Sequence, residues 1–479
     1  MKKILFLVVS LYFLSFNSYS QKVDGGCNTR ISSIQEEWLK SWVLKHADNY
    51  RNVKSGTIYM PIKAHIVGRD NGTGYYSLAT LLQVICELNT RYQPVGFYFY
   101  LDPEINFIDN SLFYEDGSSQ DAYNSMAANN VADEINMYFV QASPGLCGYY
   151  APWLDCVCII GSCGQPGGTT ITHELGHFFS LPHTFNGWEG GNTPGPAQLE
   201  LVNGSNCQTA GDYFCDTPAD FLSYRWNCPY QGTQTDPTGT SYNPDPTFYM
   251  SYASDICTNR FSNLQIGAMQ ANANTRTTLI NQGTPNMTIV TKLPTNCTPS
   301  NFDFDLIPNQ TILRWTKPSN AAYSLVQLAS FGGGAIIKEV ITSDTFLVLN
   351  NLNASSPYQW RVRGFNVGYT CDNATMFSNW NTFSTGEVFN AVSNISNEKS
   401  IYAFKNGVGE NCIAYYDNAN TNIETAHVKV YNALGVLQLS KDLNFGINTL
   451  SEMNEMPAGT YFAFVERKGV RISQFKLVK

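Results

Sequence analysis

The sequence predicts a multidomain chain in which a mixed α/β (α+β) domain precedes two all-β sandwich domains. At 479 residues the chain is too long for one hydrophobic core, because domains average roughly 150 residues. Strand and helix patterns alternate before about residue 290, whereas short alternating strands at roughly ten-residue spacing follow residue 292, a pattern typical of β-sandwiches. A polar stretch at residues 391–400 separates two runs of such strands.

The first twenty residues have the pattern of a cleaved export signal. Two lysines precede an apolar run from Ile4 to about Phe16, and small polar residues then lead to Ser20, so we expect cleavage before Gln21. A membrane anchor is the weaker alternative, because the apolar run is shorter than the roughly 20 residues that span a bilayer. We therefore expect an exported, soluble protein with no transmembrane span.

Charge and cysteine content narrow the range of partners. The 29 basic and 38 acidic residues give a net charge of −9 without any Lys/Arg cluster, which argues against nucleic acid and anionic membrane surfaces as partners. Thirteen cysteines in an exported chain favour disulfides, and the odd number leaves at least one cysteine unpaired.

The first domain begins with a strand, a helix and a second strand. Apolar residues alternate over residues 56–67, which predicts a half-buried strand. Ser77 caps a stretch of leucines at three- and four-residue spacing, and Pro94 and Gly96 end that helix before the strand FYFYL at residues 97–101.

Further along, the pattern predicts the helix that carries the first two of three closely spaced histidines. Residues 130–140 read as a helix leading into a strand, and residues 156–162 read as a strand. A glycine-rich segment then leads into a helix over residues 171–180, capped near Thr169 or Thr170. Loops are expected from residue 184 to about residue 246, followed by one helix over residues 263–280.

The stretch HELGHFFSLPH places three histidines within residues 173–183. On a helix, His173 and His177 lie one turn apart on the same face, close enough to bind one zinc ion at about 2.0–2.1 Å. His183 completes a three-histidine set only if the helix stops, and Pro182 ends it near Ser180. We expect that Pro182 makes this exit possible without a glycine at residue 180.

Glu174 follows the first histidine, so its carboxylate projects beside the metal. There it can act as the general base on a zinc-activated water and return the proton to the leaving amine. The structural alternative is a helix whose histidines are only buried and hydrogen-bonded. For the remaining histidines, His46, His65 and His427, we expect structural or surface roles.

HELGHFFSLPH resembles the HExxHxxGxxH consensus of the metzincin zinc endopeptidases, with Ser180 in place of the glycine. The segment TFYMSYASDIC at residues 247–257 resembles the Met-turn of that group, which makes Met250 the methionine beneath the metal. The resemblance matches Tyr252 to a tyrosine that can reach the metal or the oxyanion of the transition state.

Within the metzincins, GDYFCDTPAD at residues 211–220 and Cys257 resemble the pappalysin family, also called the cytophagalysin or M43 family. The resemblance covers about residues 55–285 and implies structural calcium after the third histidine, with Asp212, Thr217 and Asp220 as candidate ligands. An acidic loop that disulfides hold without any metal is the alternative.

The segment GGCNTR at residues 25–30 resembles the Cys-Gly-Thr segment that keeps some pappalysins latent, with Asn28 in place of the glycine. The resemblance implies a propeptide at residues 21–54 in which the Cys27 thiolate occupies the fourth zinc position. Cleavage near Arg51 or Lys54 would release it. The alternative is that Cys27 is a disulfide partner or an inert thiol.

Residues 292–387 resemble a fibronectin type III module, with Trp315, Tyr358 and Trp360 as core aromatics and an implied bridge between Cys297 and Cys371. Residues 400–479 resemble the C-terminal sorting domain of proteins exported by the type IX secretion system. The catalytic domain would then occupy residues 55–287, and the type IX machinery would be a partner at the outer membrane.

These observations predict a secreted or cell-surface zinc endopeptidase, monomeric, that acts on proteins or peptides. The competing hypothesis is an inactive metzincin-like adhesin that binds through its β-sandwich. A second enzymatic alternative, as in gluzincins, takes Glu189 or Glu200 as the third ligand but leaves His183 unexplained. Whether Asp255 or Ile256 lines the substrate pocket stays open at this point.

Overall fold

The structure is a computed structural model. It describes residues 26–27, 29, 31–46, 56–188, 199–222, 224–280, 282–300, 303–371, 376–386, 400–405, 409–416, 425–444 and 446–479. The predicted export signal, Asn28, the cleavage region at Arg51 and Lys54, and Glu189 lie outside these residues, as does nearly all of the polar stretch at residues 391–400. The chain forms two compact units, one built mainly before residue 284 and one mainly after it.

The first unit is organised around one seven-stranded sheet. Its strands are β1 Gly26–Cys27, β2 Ile58–Gly68, β3 Phe97–Leu101, β4 Asn106–Asp109, β5 Ile135–Val140, β6 Leu146–Ala151 and β7 Cys156–Ile160. The strand order is β1-β6-β7-β5-β2-β3, with β4 also paired to β2. Strands β2, β5 and β7 run parallel, β6 is antiparallel to β7, and β1 pairs with β6 in parallel.

Strand β2 confirms the predicted element but not its predicted half-burial. Every residue from Met60 to Gly68 is buried, although the apolar residues alternate. The alternating polar positions Lys63 and His65 are covered as well, because β2 lies inside the sheet rather than at a surface. His65 is accommodated by hydrogen bonds to Asn136 and Asn106, at 3.0 and 2.9 Å.

Seven α-helices accompany the sheet. They are α1 Ser33–His46, α2 Leu78–Tyr92, α3 Ser111–Glu115, α4 Gln120–Asn129, α5 Thr170–Phe178, α6 Asn263–Ala273 and α7 Thr277–Ile280. The predicted helix at the start of residues 130–140 is wrong, because α4 ends before that stretch and only the strand follows. The single helix predicted over residues 263–280 is divided between α6 and α7. The described part of residues 184–246 consists mainly of turns and bends, as predicted.

The second unit contains two pairs of sheets. The first pair comprises β8 Thr295–Thr298, β9 Asp303–Leu306, β10 Thr311–Thr316, β11 Tyr323–Ser330, β12 Ile336–Thr342, β13 Phe346–Leu349, β14 Pro357–Phe365 and β15 Asn381–Thr385, in the orders β13-β10-β8 and β12-β11-β14-β15-β9. The second comprises β16 Ser400–Lys405, β17 Asn411–Tyr416, β18 Ala426–Asn432, β19 Leu437–Leu443, β20 Gly446–Thr449, β21 Thr460–Arg467 and β22 Val470–Val478, in the orders β16-β17-β20 and β19-β18-β21-β22. Each pair encloses its own hydrophobic core, which confirms the two predicted β-sandwiches.

Trp315, Tyr358 and Trp360 are buried in the core of the first sandwich, as predicted. The predicted bridge between Cys297 and Cys371 is wrong. Cys371 is paired with Cys86, and Cys297 is a free thiol beside that core. The sequence pattern did not reveal Cys86 as the partner, because it lies 285 residues away in α2.

Three further disulfides lie in the first unit, Cys147–Cys163, Cys207–Cys215 and Cys228–Cys257. Five of the thirteen cysteines are free, in agreement with the prediction that at least one is unpaired. Among the described residues, none of the helices has the length and apolar character needed to cross a membrane.

Candidate active site

The site is built on α5 and on the turn that follows it. Thr169 is the N-cap residue, as predicted, but its hydroxyl donates to Asp255 at 2.8 Å instead of capping the helix. Ser180 takes a left-handed conformation, with φ at 69°, and the chain makes the predicted exit towards His183 without a glycine at residue 180. The Ser180 hydroxyl accepts a hydrogen bond from Asn272 Nδ2 at 2.8 Å, which holds this turn in place.

This turn brings the three imidazoles together. The Nε2 atom of His177 lies 3.1 Å from Nε2 of His173 and 3.2 Å from Nε2 of His183. The Nδ1 atoms of His173 and His177 donate to the carbonyls of Tyr249 and Leu181, each at 2.7 Å. These bonds fix the tautomers so that the unprotonated Nε2 atoms face one another.

Burial keeps the imidazoles of His173 and His177 neutral. Together with the charge of the nearby His183, it lowers the pKa of His173 to about 3. The pKa of His177 is lowered well below its ordinary value by burial and then by the two neighbouring histidines. Neutral imidazole is the form that binds metal, so the electrostatics of the site match the chemistry of a metal ligand.

The geometry fits a zinc ion. Two ligands at about 2.05 Å from a tetrahedral zinc are separated by about 3.3 Å, close to both separations measured from His177 Nε2. The three histidines and the Cys27 thiol place one donor atom each within 4.8 Å of one another. Without a cation, facing nitrogen lone pairs would repel at this distance. Among the residues that the structure describes, no other group of three such side chains meets in this way.

Glu174 is buried beside the histidines. Its Oε2 accepts hydrogen bonds from the Thr29 hydroxyl at 3.3 Å and from the Cys27 thiol at 3.2 Å. Burial raises the pKa of Glu174 to about 8, against the hydrogen bonds from Cys27 and Thr29, which lower it. A carboxyl group with a pKa near neutrality is suited to accept and then return a proton.

Met250 packs directly against α5. A Cβ atom placed on Gly176 would lie 2.3 Å from the Met250 sulfur, so only glycine fits between His173 and His177 at that position. The Met250 carbonyl accepts from the Thr184 amide at 3.1 Å, which joins the turn to the segment after His183. Gly176 is therefore a site residue that the sequence pattern alone did not single out.

Tyr252 borders the histidine cluster. Its ring lies 5.1 Å from the ring of His183 and 4.5 Å from that of Phe185, between ring centres. The hydroxyl accepts a hydrogen bond from the Cys27 amide at 2.7 Å and donates one to the Cys27 carbonyl. The structure thus places Tyr252 at the site, in contact with the segment that carries Cys27.

The Cys27 segment runs along strand β6 and covers Glu174. The Tyr150 amide donates to the Thr29 hydroxyl at 2.8 Å. Helix α1 follows this segment, and its Glu36 accepts a hydrogen bond from the Tyr213 hydroxyl at 2.6 Å. Cys27 is not part of any disulfide, which removes the disulfide alternative. Burial and the Glu174 charge raise the pKa of its thiol, and a coordinated cation would reverse that shift.

A second buried cluster follows His183 and consists of acids. Asp212, Asp220 and Glu200 are all buried, and the Thr217 hydroxyl bonds Asp212 at 2.9 Å. Burial raises the pKa of all three acids, and repulsion from neighbouring carboxylates adds to the effect for Asp212 and for Glu200, whose pKa is raised to about 10. Glu200 therefore interacts with Asp212 and Asp220 and is not part of the histidine group, contrary to the gluzincin alternative. It was not included in the predicted calcium set.

The remaining histidines have the expected structural or surface roles. His65 is held within the sheet, as described above. His46 Nδ1 bonds the Trp42 carbonyl at 2.7 Å within α1, and His427 pairs with Asp442 at 2.6 Å on the exposed surface of a C-terminal strand. None of them belongs to the histidine cluster.

Known proteins resemble this chain over the site. The sequence profile of peptidase family M43, described as pregnancy-associated plasma protein-A, matches residues 160–274. An extracellular metalloprotease of Arthroderma gypseum is 31% identical over 230 residues, which cover 43% of this chain and 69% of that protein. One of Colletotrichum graminicola is 27% identical over 281 residues, covering 53% and 91%.

Among solved structures, a two-domain fibronectin type III segment of chicken tenascin covers 39% of this chain and 99% of its own length, at 13% identity. Its TM-score of 0.15 is too low to support an argument about the fold. The assignment depends instead on the relatives and on the family profile, which spans α5 and the turn at Met250. On this evidence the chain belongs to the M43 family of metallopeptidases.

Proposed function

We propose that this chain is a secreted zinc endopeptidase that hydrolyses peptide bonds of proteins, with Glu174 as general base. His173, His177 and His183 would hold the zinc ion. The observation that carries the proposal is the convergence of three histidine side chains beside a buried carboxyl group, with donor atoms within 4.8 Å.

Each side chain has a distinct role in this mechanism. Glu174 accepts a proton from the attacking water and returns it to the leaving amine, and burial, which favours the protonated carboxyl, supports this role. When bound, zinc supplies Lewis-acid chemistry that makes water nucleophilic at neutral pH. The Tyr252 hydroxyl donates to the oxygen that develops negative charge in the transition state.

The inactive adhesin alternative is not favoured. It needs no proton-transfer group beside the histidines, yet Glu174 lies there and its position is set by burial and hydrogen bonds. It also gives no role to the Tyr252 hydroxyl at the same site.

We propose that residues 21–54 form a propeptide that keeps the enzyme latent through Cys27. The thiol lies with the histidine donors and hydrogen-bonds Glu174, so it would occupy the position that the attacking water needs. Cleavage near Arg51 or Lys54 would then release the segment. In this proposal Cys27→Ala makes the uncleaved chain active on a fluorogenic peptide. A Cys27→Ala chain as inactive as the uncleaved parent contradicts it.

The buried acids support a calcium site made of Asp212, Thr217 and Asp220, to which we add Glu200. Carboxylate and hydroxyl oxygens are ligands suited to calcium. Glu200 Oε2 has no hydrogen-bond partner among the described residues, and a bound cation would satisfy that buried atom.

Export and the C-terminal domains complete the proposal. The relatives are named extracellular metalloproteases, which supports secretion directed by residues 1–20. We assign residues 55–287 to the catalytic domain and residues 292–387 to a fibronectin type III module. Residues 400–479 form the type IX sorting domain that carries the chain across an outer membrane. The enzyme itself is proposed to act as a monomer on protein or peptide substrates.

Digestion of a denatured protein mixture tests the central proposal. The activated chain should cleave it, and both Glu174→Gln and a zinc chelator should abolish cleavage, with activity restored by added zinc in the second case. Glu115→Gln, which changes a surface acid outside the site, is the matched control. Cleavage that survives both the substitution and the chelator would overturn the zinc mechanism.

A further inference from the structure

A small cavity opens beside the histidine cluster, on the side of Glu174. Its lining includes Thr169, Thr170, Arg225, Tyr249 and Ser251. His173, Glu174 and Tyr252 form the end nearest the reaction centre. Because Glu174 returns its proton to the leaving amine, a cavity on this side receives the residue after the cleaved bond. Cys27 also borders the cavity, and the proposed processing removes it.

Arg225 supplies the charge of this cavity. Arg225 and Glu174 are the charged side chains in the described lining, and Glu174 meets every substrate at the reaction centre. The guanidinium bonds Asp255 Oδ1 at 3.1 Å through Nη2 and the Ala253 carbonyl at 3.3 Å through Nη1. The Arg225 side chain remains 31% exposed.

The Asp255 carboxylate is less accessible to a substrate than the Arg225 guanidinium. Its side chain is 17% exposed, and it accepts from both Arg225 and the Thr169 hydroxyl. Asp255 is absent from the cavity lining among the described residues, whereas Ile256 is 92% exposed and points away from the core. This acid therefore serves to hold Arg225, rather than to receive a basic substrate side chain.

The position of Arg225 is supported from both sides of the loop. The Trp226 amide donates to the Tyr252 carbonyl at 3.2 Å, and the Ser254 amide donates to the Trp226 carbonyl at 2.8 Å. The Cys228–Cys257 disulfide joins the same two segments. These contacts hold the segment that carries Arg225 against the turn that carries Met250 and Tyr252.

We propose that Arg225 selects an acidic residue, Asp or Glu, immediately after the cleaved bond and rejects Lys or Arg there. This inference rests on the proposed endopeptidase function and names its substrate class. An incoming carboxylate can accept hydrogen bonds from the guanidinium and from the Thr170 hydroxyl in the same lining, whereas the Thr169 and Ser251 hydroxyls already donate to Asp255 and to the Phe248 carbonyl. A basic side chain would meet a like charge and no available carboxylate.

The test uses the activated full chain and fluorogenic peptides that differ only in the residue after the cleaved bond, namely Asp, Glu, Gln, Leu, Lys or Arg. We expect kcat/KM for Glu to exceed that for Lys by about tenfold, a moderate ratio because the guanidinium is partly exposed. Arg225→Gln should reverse the preference by exposing Asp255. Asp255→Asn should retain the preference for the acidic residue, because the guanidinium then lacks its carboxylate partner.

Arg260→Gln is the matched control, because Arg260 pairs with Asp245 at 2.6 Å outside the cavity lining and its loss should leave the Glu-to-Lys ratio unchanged. Thermal unfolding of each variant verifies that it folds. A parent enzyme that prefers Lys or Arg overturns the proposal, as does an Arg225→Gln variant with an unchanged ratio. Absence of zinc-dependent cleavage of every peptide would instead overturn the proposed endopeptidase function and this inference with it.

Discussion

The first unit contains two buried clusters of titratable groups, and they differ in sign and in origin. In the histidine cluster, burial lowers the pKa of His173 and His177, whereas in the acidic cluster burial raises the pKa of Glu200, Asp212 and Asp220. Burial acts in the same direction on both, because it favours the neutral form. A cation would suit both clusters for different reasons, because it binds neutral imidazole nitrogens in the first and would offset the negative charge of ionised carboxylates in the second.

The two clusters differ in how firmly their side chains are oriented. Two of the histidines are fixed by backbone carbonyls, and the donor atoms converge. Among the acids, the Asp212 and Asp220 carboxylates are hydrogen-bonded, but Glu200 Oε2 has no partner among the described residues. The comparison suggests a preorganised catalytic site and a second site whose geometry depends more on its ion.

We expect the largest effects from two substitutions that distinguish metal binding from proton transfer in the histidine cluster. Glu174→Gln should reduce kcat/KM by about 10²–10⁴-fold, the typical contribution of general acid-base catalysis, while the protein still binds one zinc ion. His177→Ala should lose both activity and zinc, because it removes a ligand. Zinc content by atomic emission, beside peptidase rates, measures the difference. Equal loss of zinc in the two variants would show that Glu174 acts through the metal site.

Tyr252→Phe should reduce the kcat of the activated enzyme by about 10²-fold, the typical loss for one oxyanion donor. In the uncleaved chain the same change removes a group that bonds both the Cys27 amide and its carbonyl, so residual activity should rise relative to the activated enzyme. Both rates are measured on one peptide at saturating concentration. An unchanged kcat would exclude Tyr252 from transition-state stabilisation.

The acidic cluster should respond to pH and calcium in a way that the histidine cluster does not. Because the folded-state pKa values of these acids are raised, their contribution to the stability of the calcium-free protein is full below about pH 4.5, the ordinary value for glutamate, and is lost as pH rises towards the value of about 10 for Glu200. Calcium at 100 times its dissociation constant should restore about 2.7 kcal/mol.

Thermal unfolding at pH 5, 7 and 9, with zinc alone or with zinc and calcium, measures this effect. Asp212→Asn should weaken the calcium response, and Asp245→Asn serves as control because Asp245 lies outside the cluster and pairs with Arg260. A melting temperature that calcium leaves unchanged at all three pH values contradicts the calcium site and leaves the alternative of a metal-free acidic loop.

The smallest effect concerns the turn between His177 and His183. Ser180→Gly should change stability by less than about 1 kcal/mol, because relief of left-handed strain of about 1–2 kcal/mol offsets a lost hydrogen bond of about 1 kcal/mol. Ser180→Ala keeps the strain and leaves Asn272 Nδ2 without the Ser180 acceptor, so it should destabilise by at least about 1 kcal/mol. Denaturant unfolding compares them. Equal stabilities for the two variants would show that this hydroxyl is not needed.

The sequence by itself determined the features whose residues are close together in the chain. The spacing of His173, His177 and His183 predicted their convergence because a helical turn and one bend are local structures. The alternating strands predicted both sandwiches for the same reason, since side-chain alternation depends only on neighbouring residues.

Only the tertiary structure decided the features that residues far apart create. The Cys86–Cys371 bridge joins residues 285 positions apart, and strand β2 is buried on both sides because of neighbours that its own pattern does not specify. Glu200 joins Asp212 and Asp220 through loops without periodicity. Likewise, Arg225 reaches Asp255 across two segments, so the character of the substrate cavity depends on a contact that no local pattern encodes.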